Sequence, residues 1–168
     1  MPENIGATCA GRVVFPAFAD PTFVCQAARV SVDAKTGVVR VKEVAAAHDF
    51  GHVLNPEGAR GQVEGGVVQS IGMALTEGTR YQDGRQLNPH LLDYKLQTAA
   101  DAPTIDVEFL EVDGASGPRG GKGVGEPPIL VAAGAVANAI ASATGARVRE
   151  LPMTAPRVWD AIHEVRPQ

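Results

Sequence analysis

Alternating apolar and polar residues mark the first element that the sequence predicts. Val39 and Val41 alternate with basic residues, as in a strand with one buried and one hydrated face. The segment CQAARVSV precedes this run, and the linking sequence DAKTG places Gly37 where a left-handed residue usually closes a hairpin turn. Residues 25–44 are therefore predicted to form a β-hairpin.

The hydrophobic period changes after the sequence HDFGHVLNP. Asn55 is a favourable N-cap and Pro56 suits the first helical position, so a helix is predicted from residue 56 to about residue 77. Its apolar positions recur every four residues and form one stripe, made of Val63, Val67, Ile71 and Leu75. The helix also contains four glycines that weaken it, Gly61, Gly65, Gly66 and Gly72. We expect these glycines to allow close packing against a neighbouring backbone or a flat ligand.

Four further elements follow. The sequence YQDGRQL predicts a second hairpin through Asp83 and Gly84, and residues 104–112 alternate apolar with acidic positions, as a half-buried strand does. A helix is predicted over residues 127–144, closed by Gly145. A last helix is predicted after its cap, Thr154, and its buried side is expected to carry Val158, Ile162 and Val165.

This order of strands and helices favours an α+β fold over a doubly wound parallel sheet. We expect a mixed or antiparallel sheet with hairpins and packed helices. A chain of 168 residues is long enough to bury a sizeable core, so residues 1–168 are predicted to form one unit. Two small lobes divided near residues 78–103 are the alternative.

Composition and charge argue against several classes of function. The net charge is −4, 45% of the residues are hydrophobic and 20% are charged. The chain therefore has neither the composition of a disordered segment nor the basic character of a nucleic-acid-binding protein. We expect no apolar run long enough to cross a bilayer, and the opening MPENIGATCAGR lacks the regions of a signal peptide. A cytoplasmic protein without nucleic-acid or membrane partners is expected.

The cysteines and histidines do not predict a metal centre. Cys9 and Cys25 are too few and too far apart for an iron–sulfur or zinc framework, so reduced, structurally neutral thiols are expected. His48 and His52 lie four positions apart, but the intervening Phe50 and Gly51 make a poor helix for a zinc pair. We expect His48 and its neighbour Asp49 to close a strand and support the following turn. His90 and His163 are isolated and are expected to be surface or packing residues.

The sequence GGKGVGEPP, residues 120–128, is the most unusual stretch of the chain. Its lysine is not followed by Ser or Thr, so it is not the phosphate loop of nucleotide hydrolases. Its glycine spacing also departs from the dinucleotide-binding fingerprint. What remains is a backbone of small residues that leads into a helix N-terminus, where unpaired amides and the positive end of the dipole favour anions.

Three side chains around this stretch have two interpretations each. Glu126 is either an ordinary acidic residue that complements the helix dipole or a general base aimed into a cleft. Gln62, beside the helix glycines, either faces solvent or hydrogen-bonds one edge of a planar heterocycle. For Lys122, the expected interpretation is a surface lysine, and an anion ligand is the alternative.

Three segments together carry a resemblance to a known family. They are the sequence from VSVDAKTG to IGMALTEG, the sequence GGKGVGEPPILVAAGAVANAI, and the sequence RVRELPMTAPRVW. In order and spacing they closely resemble the C-terminal segment of the molybdenum-binding subunit in the xanthine dehydrogenase and aldehyde oxidase family. The similarity covers nearly the whole chain, from about residue 11 to residue 162.

The resemblance implies roles for particular residues. Glu126 matches the family's catalytic base, which takes up a proton as an oxygen atom attacks an electrophilic carbon of the substrate. Gln62 matches a residue that hydrogen-bonds the pterin cofactor. The loop beside that cofactor matches Lys122, Gly123, Val124 and Gly125. The implied cofactor is molybdopterin with molybdenum, in its plain or cytosine dinucleotide form, and no residue of this chain is expected to ligate the metal.

The resemblance also implies partners, because a family molybdenum subunit is several times longer than this chain. Its upstream part carries another cofactor loop, a glutamine near the metal and the residues that select the substrate. Iron–sulfur clusters and FAD are expected on other subunits. Aldehydes, purines, N-heterocycles and carbon monoxide stay open as small-molecule substrates.

Two hypotheses from different classes follow. In the first, the chain supplies Glu126 and pterin contacts to a molybdenum hydroxylase site that a partner chain completes, and it is inactive alone. In the second, it is an orphan or truncated non-catalytic module of the same fold, whose exposed apolar face is covered by self-association into a homo-oligomer.

Overall fold

The computed structural model describes residues 20–113 and 116–165, and the side chain of Val165 lies outside this description. Its main sheet has the strand order β1-β2-β5, with β1 at Phe23–Val32, β2 at Val39–Asp49 and β5 at Thr104–Leu110. β1 pairs antiparallel with β2, and β2 pairs parallel with β5. A second, two-stranded sheet joins β3, Tyr81–Gln82, to β4, Arg85–Gln86. The main sheet is thus mixed, and the predicted α+β class is confirmed.

Three α-helices accompany the strands: α1 at Pro56–Leu75, α2 at Pro127–Thr144 and α3 at Ala155–Val165. Asn55 caps α1, and its Oδ1 accepts a hydrogen bond from the amide of Gly58 at 3.0 Å. Gly145 ends α2 in the left-handed conformation with φ of 75°. The first backbone bond of α3 runs from the amide of Val158 to the carbonyl of Thr154. These boundaries agree with the predicted elements.

The hairpin turns also form where they are expected. Gly37 closes the β1–β2 turn with φ of 74°. Asp83 and Gly84 both take positive φ, 49° and 77°, which is the backbone that a two-residue hairpin turn of type I′ needs. Cys25 is a free, exposed thiol on β1, whereas Cys9 lies outside the described residues.

The core lies between the main sheet and the helices. The predicted stripe of α1 is buried, since Val63 and Val67 are fully inaccessible and Ile71 and Leu75 nearly so. α2 buries one face, consisting of Pro128, Ala132, Val136 and Ile140, and it packs against β1 and α1. Val158 and Ile162 of α3 join the same core. The position predicted for the Val165 side chain lies outside the described residues.

The hydropathy of α2 corrects one expectation. Over its 18 residues the mean hydropathy is 1.4, so by length and composition this helix could cross a membrane. The prediction that the chain has no such run was therefore wrong. In the fold, α2 packs on β1 and α1, and 22% of this helix is buried.

The helix glycines differ in what surrounds them. A Cβ at Gly66 would lie 2.7 Å from the Cβ of Pro128, so at this position α1 and α2 touch backbone to side chain. A Cβ at Gly61 or Gly65 would meet nothing within 4 Å. A close approach is therefore present at Gly66, but to the side chain of Pro128 and not to the neighbouring backbone or flat ligand that was expected. Gly61 and Gly65 border open space, and a Cβ at Gly72 would meet the side chain of Glu77.

Alanine substitutions at two adjacent glycines should have opposite effects on stability. We expect Gly65→Ala to stabilise the chain by about 0.5–1 kcal/mol, because alanine restricts the unfolded backbone and the site is open. Gly66→Ala should instead destabilise it, because overpacking at a helix contact costs about 1–3 kcal/mol. Urea unfolding of both variants measures the difference. Equal stabilities of the two variants would contradict the close contact between α1 and α2.

Candidate cofactor site

A glycine-rich loop, residues 120–126, leads from a short 3₁₀ turn at Pro118–Gly120 into α2. Hereafter it is called the glycine loop. Backbone contacts join it to the end of β2: Gly51 and Gly121 form a β-bridge, and the amide of His52 donates to the carbonyl of Gly120 at 2.9 Å. The amide of Lys122 donates to the carbonyl of Phe50 at 2.8 Å. The loop therefore lies beside the turn that connects β2 with α1.

Gln62 connects the other side of the glycine loop to α1. Its Nε2 donates a hydrogen bond to the carbonyl oxygen of Gly125 at 2.6 Å, across 63 positions of sequence. The side chain is exposed, as one of its two interpretations expected, but it is not simply hydrated. The first turns of α1, the end of β2 and the glycine loop together border a cavity of about 390 Å³, which Gln62, Lys122, Val124 and Gly125 help to line.

Val124 and Gly125 of the glycine loop line this cavity, and Gly123 lies next to them in sequence. Within residues 20–113 and 116–165, no protein acceptor receives the amides of Gly123, Val124 or Gly125. A Cβ at Gly123 or Gly125 would meet nothing within 4 Å, so open space adjoins both residues. Unpaired amides beside open space are the arrangement that binds the acceptor atoms of a ligand.

Glu126 occupies the N-cap position of α2 and is exposed. Its carbonyl accepts the amide of Ile129 at 3.0 Å, but its carboxylate makes no capping hydrogen bond with the helix. The side chain thus does not perform the capping task that an acidic residue at this position could perform. Pro127 and Pro128 follow immediately and restrict the backbone behind it.

Lys122 departs from the expectation of a surface lysine. Its ammonium lies 2.5 Å from Oδ2 of Asp49, and only 7% of the Lys122 side chain and 4% of the Asp49 side chain are exposed. Oδ1 of Asp49 accepts the amide of Gly51 at 3.0 Å. The hydrogen bond from Lys122 is the main reason why the pKa of Asp49 lies below its ordinary value, with the Gly51 amide acting in the same direction. A buried ion pair therefore joins the strand end to the glycine loop.

The buried His48 and the half-buried Gln26 form a second polar contact, under the start of α2. Nε2 of Gln26 lies 3.3 Å from Nε2 of His48 and donates to the carbonyl of Pro128 at 3.0 Å. Burial lowers the pKa of His48. The described residues contain no cluster of His, Cys, Asp and Glu that could hold a metal ion, and His48 and Asp49 close β2 as expected.

Of the site residues named from the sequence, Gln62, Lys122, Val124 and Gly125 line the cavity, whereas Gly123 and Glu126 are not among its lining residues and lie beside them in the loop. The partners of these residues were not foreseen. Asp49 as the partner of Lys122 was missed, as was Phe50, whose carbonyl accepts the Lys122 amide. A further unforeseen pair is His52 with Glu111, whose Nδ1 and Oε2 lie 3.2 Å apart. The sequence signals only that Asp49 and Lys122 are oppositely charged, and 73 positions separate them.

The fold and the site define a class of protein: an α+β domain in which a glycine loop and one face of a helix border a cavity of about 390 Å³. Comparison with known proteins specifies the family. The sequence model of the molybdopterin cofactor-binding domain matches residues 7–103, which is more than half of the chain. The chain belongs to this family.

Relatives and solved structures agree with this assignment. The chain is 37% identical over 164 residues to the putative xanthine dehydrogenase molybdenum-binding subunit of Escherichia coli K12, covering 96% of this chain and 22% of the relative. It is also 37% identical over 147 residues to the aldehyde oxidoreductase molybdenum-binding subunit of Escherichia coli K12, covering 86% of this chain and 20% of the relative. The crystal structure of quinoline 2-oxidoreductase from Pseudomonas putida 86 superimposes with a TM-score of 0.76 at 34% identity, over 82% of this chain and 18% of that one.

Proposed function

We propose that this chain forms part of the cofactor site of a molybdenum-dependent oxidoreductase and supplies its catalytic base and pterin contacts. The observation that carries the proposal is the hydrogen bond from Gln62 to the carbonyl of Gly125, which joins α1 to the glycine loop around one cavity. The chain spans about a fifth of the length of the two relatives from Escherichia coli. In this proposal the activity requires residues from the remainder of a large subunit, and the chain is inactive alone.

The residues present fit molybdopterin, a planar heterocycle that carries a phosphate. Amides of Gly123, Val124 and Gly125 face no protein acceptor in the described part of the chain and would receive acceptor atoms of the cofactor. Nε2 of Gln62 already donates to Gly125, so its Oε1 would accept a hydrogen bond from the heterocycle. When bound, the cofactor supplies the redox centre at which the substrate is oxidised. The Lys122 ammonium is paired with Asp49, so in this proposal Lys122 contacts the cofactor through its backbone and not through its charge.

Glu126 acts as the general base in this proposal. Its carboxylate is free of a capping hydrogen bond and exposed toward solvent in this chain, so it can accept a proton from a reacting group placed beside it. The two prolines that follow limit the movement of the backbone that carries it. Together these features hold a proton acceptor at the edge of the cofactor site.

The partners in this proposal are the remaining part of the molybdenum subunit, an iron–sulfur subunit and an FAD subunit. Large apolar side chains support a covered surface, since Leu91, Leu92 and Leu130 are 73%, 82% and 74% exposed. The substrate is a small molecule of the aldehyde, purine or N-heterocycle classes, and the cofactor is either the plain or the cytosine dinucleotide form. That residues 1–168 act as one unit is part of this proposal, and it is supported in the described residues by a core cluster that includes residues from β2, α1, β5, α2 and α3. The expected cytoplasmic location stays a prediction.

Self-association is the second candidate. The same exposed leucines would favour a homo-oligomer of a non-catalytic module, in which a second copy covers the apolar surface. Light scattering separates the two candidates. A stable homo-oligomer that binds no other chain would favour the non-catalytic module over the enzyme.

Cofactor retention tests the proposed function. We expect co-expression with a chain that carries the remaining molybdenum-subunit sequence to give a stable complex that contains molybdenum and pterin. Gln62→Leu should weaken cofactor binding by about 5–10-fold, because one hydrogen bond contributes about 1 kcal/mol. Elemental analysis of molybdenum and fluorescence of the released pterin, after extended dialysis, measure both expectations.

A matched control is available on the same helix. Gln69 is exposed on α1, seven positions after Gln62, and makes no hydrogen bond with the glycine loop. Gln69→Leu should retain the cofactor as the unmodified complex does. A complex without molybdenum, or equal losses in the two variants, would contradict the assignment of Gln62.

A further inference from the structure

The ion pair of Lys122 with Asp49 differs from the other ion pairs of the described residues in its burial. Arg29–Glu43, His52–Glu111 and Arg157–Glu150 all have side chains that are at least 38% exposed, whereas the Lys122 and Asp49 side chains are 7% and 4% exposed. Surface ion pairs contribute little because water screens them. Loss of one partner from a buried pair leaves an uncompensated charge and is strongly destabilising.

The position of this pair is as informative as its burial. Asp49 is the last residue of β2, and its carboxylate also accepts the amide of Gly51 in the turn that follows. Lys122 lies in the glycine loop, four positions before Glu126. The pair therefore attaches the loop that ends at the proposed base to the end of a sheet strand.

The glycine loop needs such an attachment because its own backbone is permissive. Gly120 has φ of 78°, and side chains added at Gly123 or Gly125 would meet no neighbouring atom. Glycine loses more conformational freedom on ordering than any other residue. Up to Lys122, the loop is also held by backbone contacts, namely the β-bridge of Gly51 with Gly121 and the bonds of residues 120 and 122 with residues 52 and 50. Beyond Lys122, the hydrogen bonds to the loop come from two side chains in exposed positions, Thr22 to Gly123 and Gln62 to Gly125. The buried ion pair is therefore the last buried polar attachment of the loop before Glu126.

We propose that Asp49 and Lys122 are positioning residues that hold the glycine loop, and with it Glu126, in the geometry that proton transfer requires. The proposal rests on the proposed function for its catalytic consequence, but the anchoring itself is a property of this chain. Neither side chain touches the reacting atoms in this proposal. Both act through the backbone between Lys122 and Glu126.

Two kinds of measurement test the proposal in the assembled complex. In Asp49→Asn and in Lys122→Met, hydrogen exchange of the amides in residues 121–125 should accelerate by about tenfold or more, while the amides of α1 keep their protection. The kcat should fall by about 100-fold, since a misplacement of 1 Å in a catalytic group can have an effect of that size. KM and the molybdenum content should stay within about threefold of the unmodified complex, because substrate and cofactor contacts are retained.

The chain offers a matched control and a second variant. Glu43→Gln breaks the exposed Arg29–Glu43 pair on the same strand and should change neither loop exchange nor kcat. The double variant Asp49→Asn/Lys122→Met removes both charges, so it should fold even where a single variant leaves a buried unpaired charge. The hydrogen-exchange rates of its loop and its kcat should resemble those of each single variant. The two effects should not multiply, because the two residues act as one unit.

Unchanged exchange of residues 121–125 in the double variant would overturn the anchoring. Faster loop exchange with an unchanged kcat would overturn the positioning role. A loss of molybdenum in proportion to activity would also overturn it, since the pair would then serve cofactor binding. Failure of the proposed function gives a different result. In that case Glu126→Gln keeps full turnover, while Asp49→Asn still accelerates the hydrogen exchange of the loop amides.

Discussion

Replacing Glu126 by glutamine is expected to lower kcat of the assembled complex by about 10²–10⁴-fold, the range that general acid–base groups contribute. The physical reason is that glutamine keeps the size of the side chain but cannot accept a proton in the reaction. The carboxylate of Glu126 makes no capping hydrogen bond with α2, so the substitution removes no contact that holds the helix start. Steady-state kinetics, with molybdenum and pterin quantified on the same samples, measure the effect.

The control for Glu126→Gln is a second exposed carboxylate at a helix N-terminus. Glu57 lies in the first turn of α1, and Glu57→Gln loses only its favourable interaction with the helix dipole, about 0.3–1 kcal/mol of stability. We expect its kcat to match the unmodified complex. If Glu126→Gln retains turnover at a normal cofactor content, then Glu126 is a dipole-compensating residue and the base lies elsewhere.

Phe50→Ala is expected to give the largest loss of stability, about 3–5 kcal/mol of the free energy of unfolding. The Phe50 ring is 1% exposed and packs against the rings of His48 and Phe109, with centroid distances of 5.0 and 5.9 Å. Removing it leaves a cavity at the end of β2, where its own carbonyl holds the amide of Lys122. Because a domain is stable by only about 5–15 kcal/mol, urea unfolding should show a large shift of the midpoint.

Phe23 provides a control of the same residue type. It is 66% exposed on β1, and its ring lies 5.8 Å, measured from the centroid, from the Lys122 ammonium. Phe23→Ala is expected to lower stability by about 1 kcal/mol or less. Similar losses in the two phenylalanine variants would mean that the end of β2 is not part of the core.

Local signals explain why most elements could be predicted from the sequence. Asn55 and Gly145 mark helix ends by their own conformational preferences, and Gly37 marks a turn in the same way. The parallel pairing of β2 with β5 could not be read in this way, because the register depends on which strands meet after the helices have packed. The hydropathy of α2 was underestimated because its many alanines are typical of an ordinary helix. The helix packs on β1 and carries no charged residue.

In the candidate site, too, some residues could be predicted from the sequence and others only from the tertiary structure. Residue types and the family resemblance identified Gln62, Glu126 and the glycine loop, because glycines, a glutamine and a carboxylate carry their chemistry in the sequence itself. The expectation for Lys122 was wrong, because nothing near a lysine in sequence reveals that its ammonium will be desolvated against a carboxylate. The roles of these residues in catalysis and cofactor binding stay predictions.

The sequence by itself therefore determined the helices, the turns, the α+β class and the family, all of which depend on short-range preferences or on matching motifs. Only the tertiary structure decided that Gln62 bonds Gly125 across 63 positions and that Lys122 meets Asp49 across 73. Contacts of this range depend on how the whole chain packs and on which groups lose their water, and no local pattern encodes either quantity. The distinction matters most at the glycine loop, whose flexible sequence is held by the end of a strand far from it in the chain.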